Sequence, residues 1–258
     1  MRLADTHAHL SDPSFDDDRA QVLERARQAG LCLMVDVGAD VASSERAVAL
    51  ATAEPGVYAT VGIHPHDAQG ADVAAWECIR QLAAEACVVG IGETGLDFYR
   101  HRSPQQAQVE AFQTHLALAQ ELGKPVIVHS READAETMAT LRPWANKVQV
   151  VLHCFSGSEE MLSEALSLGF YVSFSGTITY PKADRQRQLA RMVPEGQLLA
   201  ETDCPYLAPV PKRGRRNEPA YITHTVSALA QARGVPAESL AQTILTNAEV
   251  LFGVARGD

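Results

Sequence analysis

Several features that mark secreted, membrane-spanning or metal-ribbon proteins are missing from this 258-residue sequence. It has only five cysteines, at irregular spacings and without a Cys-x-x-Cys pair, which argues against a disulfide framework and a zinc ribbon. Apolar residues nowhere run long enough to cross a bilayer. The first residues also lack the basic and apolar segments of a secretory signal. We therefore expect a soluble cytoplasmic protein with neither a membrane partner nor an obligatory protein partner.

An excess of positive charge is also absent. Lysine and arginine number 22 against 32 aspartates and glutamates, so the formal net charge is −10. This balance argues against a protein that coats nucleic acid with its whole surface, although it allows a local basic patch. One such patch is the segment 212–216, which contains Lys212, Arg213, Arg215 and Arg216.

Short apolar segments rich in β-branched residues alternate with longer amphipathic segments along the chain. The short segments predict eight β-strands at residues 3–7, 31–37, 57–63, 87–92, 125–129, 148–153, 170–174 and 197–202. The longer ones predict helices at residues 16–29, 43–54, 71–86, 104–122, 132–145, 158–168, 183–193, 219–233 and 237–252. Several strands are apolar on both faces, as is typical of parallel strands covered by helices. Ser103 is the predicted cap of the fourth helix, with Pro104 in its first turn.

This alternation predicts an α/β fold, a single (β/α)8 TIM barrel that spans residues 1–258 as one domain. No linker or repeat interrupts the pattern. An open doubly wound sheet stays as the alternative, because strand alternation alone does not show that a sheet closes on itself.

Residues that can bind metals stand at the predicted carboxyl ends of the strands. The first strand ends in His7 and His9, and because side chains alternate along a strand, these two imidazoles share a face. The corresponding residues of later strands are Glu93, His129, His153 and Asp203. In (β/α)8 enzymes this end of the barrel carries the active site.

Each of these residues alone has an ordinary structural explanation, such as a hydrogen-bonded histidine or a carboxylate that caps a turn. Four imidazoles and two carboxylates in one cavity are a different matter, because their polar groups need partners and the carboxylates repel each other. Divalent cations resolve both problems, since neutral imidazole and carboxylate suit zinc, iron or manganese. The residues therefore predict a metal site.

The sequence resembles the TatD family of metal-dependent deoxyribonucleases, which belongs to the amidohydrolase-like barrels. The resemblance is carried by segments that follow in order over nearly the whole chain: DTHAHL (5–10), GIHPHDA (62–68), GIGETGLDFY (90–99), PVIVHSREA (125–133), LHCFSGS (152–158), YVSFSG (171–176), LLAETDCPYLAP (198–209) and RRNEPAYI (215–222). A match of this extent is more specific than a single motif.

The resemblance implies a site for two divalent metal ions, of zinc, magnesium, manganese or iron. It implies that one ion is held by His7, His9 and Asp203, the other by His129 and His153, and that Glu93 bridges them. It also implies that a metal-bound hydroxide is the nucleophile. Asp203 would accept the proton of the water and pass it to the leaving group, so Asp203 and Glu93 are the predicted catalytic residues.

The roles of four further residues are left open by the sequence. His64 is predicted to contact the substrate or to support a metal ligand, the alternative being an ordinary surface histidine. Asp5 and Glu201 each lie two residues before a predicted ligand, where they either orient the ligands or belong to a buried hydrogen-bond network. Arg131 either binds a substrate phosphate or pairs with a neighbouring acid.

The basic segment 212–216 follows the eighth strand and is therefore expected on the same side of the barrel as the metal site. A run of basic residues is usually a solvated loop. On a protein of charge −10, however, positive charge beside the predicted site suits a phosphate backbone. Lys212, Arg213, Arg215 and Arg216 are therefore predicted to bind the substrate.

The resemblance favours hydrolysis of DNA phosphodiester bonds, by a 3′–5′ exonuclease that acts on single-stranded DNA or on 3′ ends. The alternative is a small-molecule amidohydrolase or esterase, or an aminoacyl deacylase, because the same nucleophile attacks a carbonyl carbon. A non-catalytic metal-binding scaffold is disfavoured, since the predicted ligands leave coordination positions open in a cleft.

Overall fold

The computed structural model describes residues 1–254 and contains a sheet of eight strands in which neighbours run parallel. The strands are β1 (Leu3–Ala8), β2 (Leu31–Val37), β3 (Val57–Val61), β4 (Val88–Asp97), β5 (Val126–Arg131), β6 (Val150–Leu152), β7 (Tyr171–Phe174) and β8 (Leu198–Ala200). Their order in the sheet is their order in the chain. Parallel neighbours need a crossover connection, and helices supply it.

The helices follow the strands one by one, and two of them come after β8. They are α1 (Arg19–Gln28), α2 (Val41–Ala53), α3 (Val73–Ala83), α4 (Gln105–Leu122), α5 (Asp134–Leu141), α6 (Glu159–Ser167), α7 (Asp184–Met192), α8 (Ile222–Arg233) and α9 (Ala237–Phe252). Local sequence sets their ends. Ser158 caps α6 by accepting a hydrogen bond from the amide of Met161, and Gly123 ends α4 with a φ of 64°, a conformation that glycine adopts without strain. Among residues 1–254, no helix has the length and apolar character needed to span a membrane.

Hydrogen bonds between the chain after β8 and the end of β1 close the sheet into a barrel. The amide of Asp203 donates to the carbonyl of His7 at 2.9 Å, and the amide of His9 donates to the carbonyl of Cys204 at 2.8 Å. The fold is therefore a (β/α)8 barrel, as predicted from the alternation. The open-sheet alternative is wrong.

Apolar side chains surround the strands on both faces. One large core joins the strands to the inner faces of the helices. A second cluster packs Val35, Ile127 and Leu199 from three strands against Leu245 and Phe252 of α9. Each large apolar side chain buried in this way stabilises the fold by about 1.5–3 kcal/mol, so the barrel tolerates buried polar groups at one end.

All eight strands lie where they are predicted, although several of their ends differ by one or two residues, and two differences near the site matter most. β4 continues to Asp97 instead of ending at residue 92, because its glycine-containing second half still pairs with β5. Ser103 does not cap α4, which begins one residue later with Pro104 as its cap residue. The Ser103 hydroxyl instead donates to the carbonyl of His66 at 2.7 Å. The single domain of residues 1–258 stays a prediction, and residues 255–258 lie outside the described residues.

Candidate metal centre

Six polar side chains converge on a cavity of about 800 Å³ at the carboxyl ends of the strands. They are His7 in β1, His9 just after β1, Glu93 in β4, His129 in β5, His153 after β6 and Asp203 after β8. These are the six metal ligands predicted from the sequence. Parallel strands end at the same face of the barrel, so residues far apart in the chain lie side by side here.

Glu93 lies at the centre of this cluster, and its two carboxylate oxygens face different partners. Oε2 lies 3.4 Å from His7 Nε2 and 3.9 Å from His9 Nε2. Asp203 Oδ1 lies 3.7 and 3.5 Å from the same two nitrogens. The ring of His9 is held in place by its Nδ1, which donates to the carbonyl of Val37 at 2.9 Å and leaves Nε2 directed at the carboxylates. Two imidazoles and two carboxylates thus surround one small volume.

The other oxygen of Glu93 faces a second group of imidazoles. Oε1 lies 3.0 Å from His129 Nδ1, 2.9 Å from His153 Nε2 and 3.4 Å from His64 Nε2. His64 therefore belongs to the cluster itself, where the sequence had left its role open. A carboxylate placed between two groups of nitrogen donors has the arrangement expected of a bridging ligand.

Burial and mutual contact shift the pKa values of these groups in opposite directions. Burial would raise the pKa of Glu93, but the neighbouring imidazoles, His153 first among them, hold it well below its usual range. Burial opposes protonation of His153, yet its contacts with Glu93 and Glu201 raise its pKa well above the usual value. In the same way, burial would lower the pKa of His9, but the hydrogen bond and the charge of Asp203 raise it to about 9. The carboxylates of the cluster stay ionised and need positive charge beside them.

The donor set of the cluster fits divalent metal ions. In the part of the chain that the structure describes, three overlapping groups bring ligand atoms within 4.8 Å of one another: His7, His153 and Asp203; His7, His9 and Glu93; and His64, Glu93 and His129. Imidazole and carboxylate are ligands of zinc, manganese and iron. A cation among them supplies the positive charge that the buried carboxylates need and leaves the imidazoles neutral.

Comparison with known proteins agrees with this geometry. The profile of the family described as TatD related DNase matches residues 4–253. The chain belongs to the TatD related DNase family. It is 41% identical over 261 residues to the 3′-5′ ssDNA/RNA exonuclease TatD of Enterobacter lignolyticus, an alignment that covers 97% of this chain and 99% of that protein.

Two further relatives belong to the same comparison. The chain is 37% identical over 255 residues to the uncharacterized metal-dependent hydrolase YabD of Bacillus subtilis, with 98% of this chain and 99% of that protein covered. The crystal structure of YJJV, a TatD homolog from Escherichia coli K12, matches the fold with a TM-score of 0.93 at 32% identity. That match covers 98% of this chain and 99% of the other.

In this TatD-family chain, a buried carboxylate behind the cluster orients one of its imidazoles. Asp97 Oδ2 accepts hydrogen bonds from His129 Nε2 at 3.3 Å and from His66 Nε2 at 2.9 Å. Asp97 Oδ1 accepts from the amides of Tyr99 at 3.0 Å and Arg100 at 2.7 Å. With Nε2 of His129 engaged as a donor, its Nδ1 is left as the nitrogen that faces the cluster.

Sequence reasoning missed Asp97, and the length of β4 explains the omission. Because β4 extends through residue 97, the side chains of Glu93 and Asp97, four residues apart, lie on the same face of the strand. Asp97 is then expected beside Glu93. A strand predicted to end at residue 92 gives no reason to place the two carboxylates together.

Glu201 and Asp5 have different roles in the structure. Glu201 Oε1 accepts a hydrogen bond from His153 Nδ1 at 3.2 Å, so this carboxylate contacts a ligand imidazole. Asp5 accepts from the amide of Thr202 at 2.9 Å and from its hydroxyl at 2.5 Å. Asp5 therefore belongs to the buried network that ties β1 to the end of β8, and burial raises its pKa to about 7.

Two side chains of the basic segment 212–216 have partners outside the cavity. Within residues 1–254, none of its four basic side chains is part of the cavity lining: Lys212, Arg213, Arg215 and Arg216. Arg216 donates instead to the carboxylate of Asp18 at 2.7 Å, and Arg213 lies 4.4 Å from the ring centre of Tyr180. The contact of this segment with the substrate therefore stays a prediction.

Other arginines do line the cavity. Arg131 is one of them, as predicted, and three more come from positions that sequence analysis did not select: Arg46, Arg100 and Arg102. They belong to α2 and to the loop after β4, two elements that the sequence pattern did not connect with the metal site. These arginines place positive charge at the mouth of this TatD-family barrel.

Proposed function

We propose that this protein is a metal-dependent hydrolase that removes nucleotides from the 3′ end of single-stranded DNA or RNA. Its relative from Enterobacter lignolyticus carries a name that describes this activity. The observation that carries the proposal is the cluster around Glu93, in which two carboxylates and five imidazoles meet in one cavity of a TatD-family barrel.

The residues assigned to the metals are those of the cluster. His7, His9 and Asp203 form one group and His129 and His153 the other, with the two oxygens of Glu93 between them. Bound divalent ions would polarise the phosphodiester and activate water for attack. His64 lines the cavity and faces Glu93, which places it to contact the phosphate.

Asp203 is the carboxylate proposed to move the proton. Its side chain is 14% exposed, whereas that of Glu93 is 5% exposed, so Asp203 is the more accessible of the two carboxylates. Burial opposes its ionisation, but the hydrogen bond from His9 lowers the pKa of Asp203 and keeps it a proton acceptor. The proton taken from the attacking water then passes to the leaving oxygen of the nucleic acid strand.

The experiment is to strip the protein with a chelator, restore single divalent ions and follow the shortening of 5′-labelled single-stranded DNA and RNA. We expect removal of nucleotides from the 3′ end only after metal is restored. Glu93→Gln should lower the rate by more than about a hundredfold, beyond the effect typical of residues behind the ligands. Asp67→Asn, which removes one carboxylate charge from the same cavity, is the matched control.

Two outcomes would contradict the proposal. The first is full activity of Glu93→Gln or of the stripped protein. The second is a preference for small acyl esters over oligonucleotides, which would favour the amidohydrolase alternative.

A further inference from the structure

Several arginines that line the cavity lack a carboxylate partner. Four arginines that line it make no ion pair with any carboxylate within residues 1–254: Arg46, Arg100, Arg102 and Arg131. Elsewhere on the surface arginines are commonly paired, as Arg142 is with Glu164 and Arg187 with Asp184. In a protein of charge −10, unpaired guanidinium groups around one cavity are available to bind an anion.

Besides Asp203 of the cluster and Asp97 behind it, three aspartates line the cavity, and two of them accept hydrogen bonds from nearby backbone amides. Asp12 accepts a hydrogen bond from the amide of Ser14 at 2.8 Å, and Asp40 caps α2 through the amide of Ser43 at 2.6 Å. Asp67 is the third. These hydrogen bonds leave the carboxylates charged, but within residues 1–254 none of them forms an ion pair with the four guanidinium groups.

Two of these arginines contact one exposed aromatic ring. The guanidinium carbon of Arg131 lies 4.2 Å from the ring centre of Tyr99, and that of Arg100 lies 5.5 Å away. The Tyr99 side chain is 48% exposed, so ring and guanidinium groups present a shared surface at the rim. A backbone hydrogen bond of 2.9 Å from the amide of Phe98 to the carbonyl of Arg131 joins this loop to the end of β5.

The loop 98–103 is anchored beside the cluster around Glu93. Asp97 holds it at one end, because the carboxylate that accepts from His129 also accepts from two amides of the loop. At the other end, the side-chain amide of Gln108 donates to the carbonyls of Asp97 at 3.1 Å and Ser103 at 2.9 Å. A strand bound to the loop is therefore held at a defined position relative to Glu93.

We propose that the loop 98–103 and Arg131 form a subsite for the nucleotides on the 5′ side of the scissile bond. Arg100, Arg102 and Arg131 bind phosphates of the strand, and Tyr99 stacks with a base. The inference rests on the proposed function. An enzyme that trims 3′ ends holds the terminal nucleotide at the cluster, and the rest of the strand must leave the cavity past its rim. The exposed arginines lie on that path.

The charges of the subsite set the expected magnitude. Replacing Arg100, Arg102 and Arg131 with glutamine removes three positive charges. The logarithm of the affinity for single strands falls with that of the salt concentration by about 0.7 per neutralised phosphate, so the slope becomes shallower by about 2. Between about 50 and 200 mM salt, this difference corresponds to roughly a 20-fold change in affinity.

The test is the binding of a fluorescent single-stranded oligonucleotide of about 12 nucleotides, measured by anisotropy in excess chelator so that neither metal nor turnover contributes. The matched control combines Arg27→Gln, Arg80→Gln and Arg142→Gln, which remove the same charge from exposed positions away from the cavity. We expect weaker binding and a shallower salt slope for the subsite variant and little change for the control. Tyr99→Leu should weaken binding roughly fivefold without changing the slope, because stacking is not a charge interaction.

A kinetic measurement distinguishes binding at the subsite from the reaction at the cluster around Glu93. In metal-restored protein, the subsite variant should raise the KM for the oligonucleotide far more than the KM for bis(p-nitrophenyl) phosphate, which has a single phosphate and no neighbouring nucleotides. An unchanged salt slope in this variant overturns the subsite. So does a shallower slope found only on replacing Lys212, Arg213 and Arg215, which would place the strand on the segment 212–216. If the unaltered protein neither binds nor shortens single strands, the proposed function itself fails.

Discussion

Replacing Asp97 with asparagine tests whether this carboxylate orients His129 in the cluster around Glu93. Asp97 is 1% exposed and accepts hydrogen bonds on both oxygens, from two imidazoles on one side and from two backbone amides on the other. Asparagine keeps the shape but replaces one acceptor oxygen with an NH2 group. Whichever way the amide turns, two of the four donors lose their acceptor.

The magnitude follows from these contacts. Each buried donor left without an acceptor costs about 1–3 kcal/mol, so the free energy of unfolding should fall by about 2–6 kcal/mol. A hydrogen bond to a charged group is stronger than one to a neutral group by about 1–1.5 kcal/mol. Weakening the bond that orients His129 should therefore lower the metal affinity about tenfold.

The assay is calorimetric titration of metal-stripped protein with zinc and manganese, together with urea denaturation. Asp67→Asn is the control, since Asp67 lines the same cavity and the change removes the same charge. Metal affinity should fall in Asp97→Asn and stay near the original in Asp67→Asn. Equal metal affinity in the two variants would refute the role assigned to Asp97.

Two further predictions concern the barrel around the site. Burial lowers the pKa of His115 from 6.5 to about 4. As the pH falls, the unfolded chain therefore binds a proton at this histidine before the folded protein does. Between these two pH values, the free energy of unfolding should decrease by about 1.4 kcal/mol for each unit that the pH falls. Above pH 6.5 this contribution is complete, and His115→Gln should remove that slope from denaturation curves measured across the range. Gly95 has a φ of 128°, and in Gly95→Ala the new Cβ would lie 2.1 Å from the carbonyl oxygen of His129. Urea denaturation should therefore show that the free energy of unfolding falls by about 3 kcal/mol or more. Gly196→Ala, where the Cβ meets no atom within 4 Å, should be nearly neutral; equal losses in both alanine variants would argue against the close contact.

The barrel and the six clustered residues were predictable because each depends on a short-range pattern. Apolar segments at strand spacing marked every strand, and parallel strands necessarily end on one face. A polar residue at a strand end could therefore be placed near another, such as His7 near Asp203, without knowledge of any distance. The closing hydrogen bond from the amide of Asp203 to the carbonyl of His7 agrees with that placement.

The features that were not predictable depend on contacts between distant or irregular segments. The second half of β4 contains glycine and polar residues, so nothing in its pattern showed that pairing with β5 continues to Asp97. In the segment 212–216, the run of basic residues did not show that Arg216 pairs with Asp18, which lies far away in the chain. Loop 98–103 takes its position from side-chain bonds of Gln108 to its backbone, which no periodicity reveals.

The hydrogen bond from Asp203 to His7, which closes the barrel, has a consequence for folding during synthesis. A nascent chain that has not yet reached residue 203 lacks one of the proposed ligands and also the amide that closes the ring of strands. Metal capture should therefore come late, once the first and last strands have met, and an incomplete polypeptide would be a poor nuclease. A bound ion would in turn stabilise the closed barrel, because a ligand that binds the native state stabilises that state by mass action.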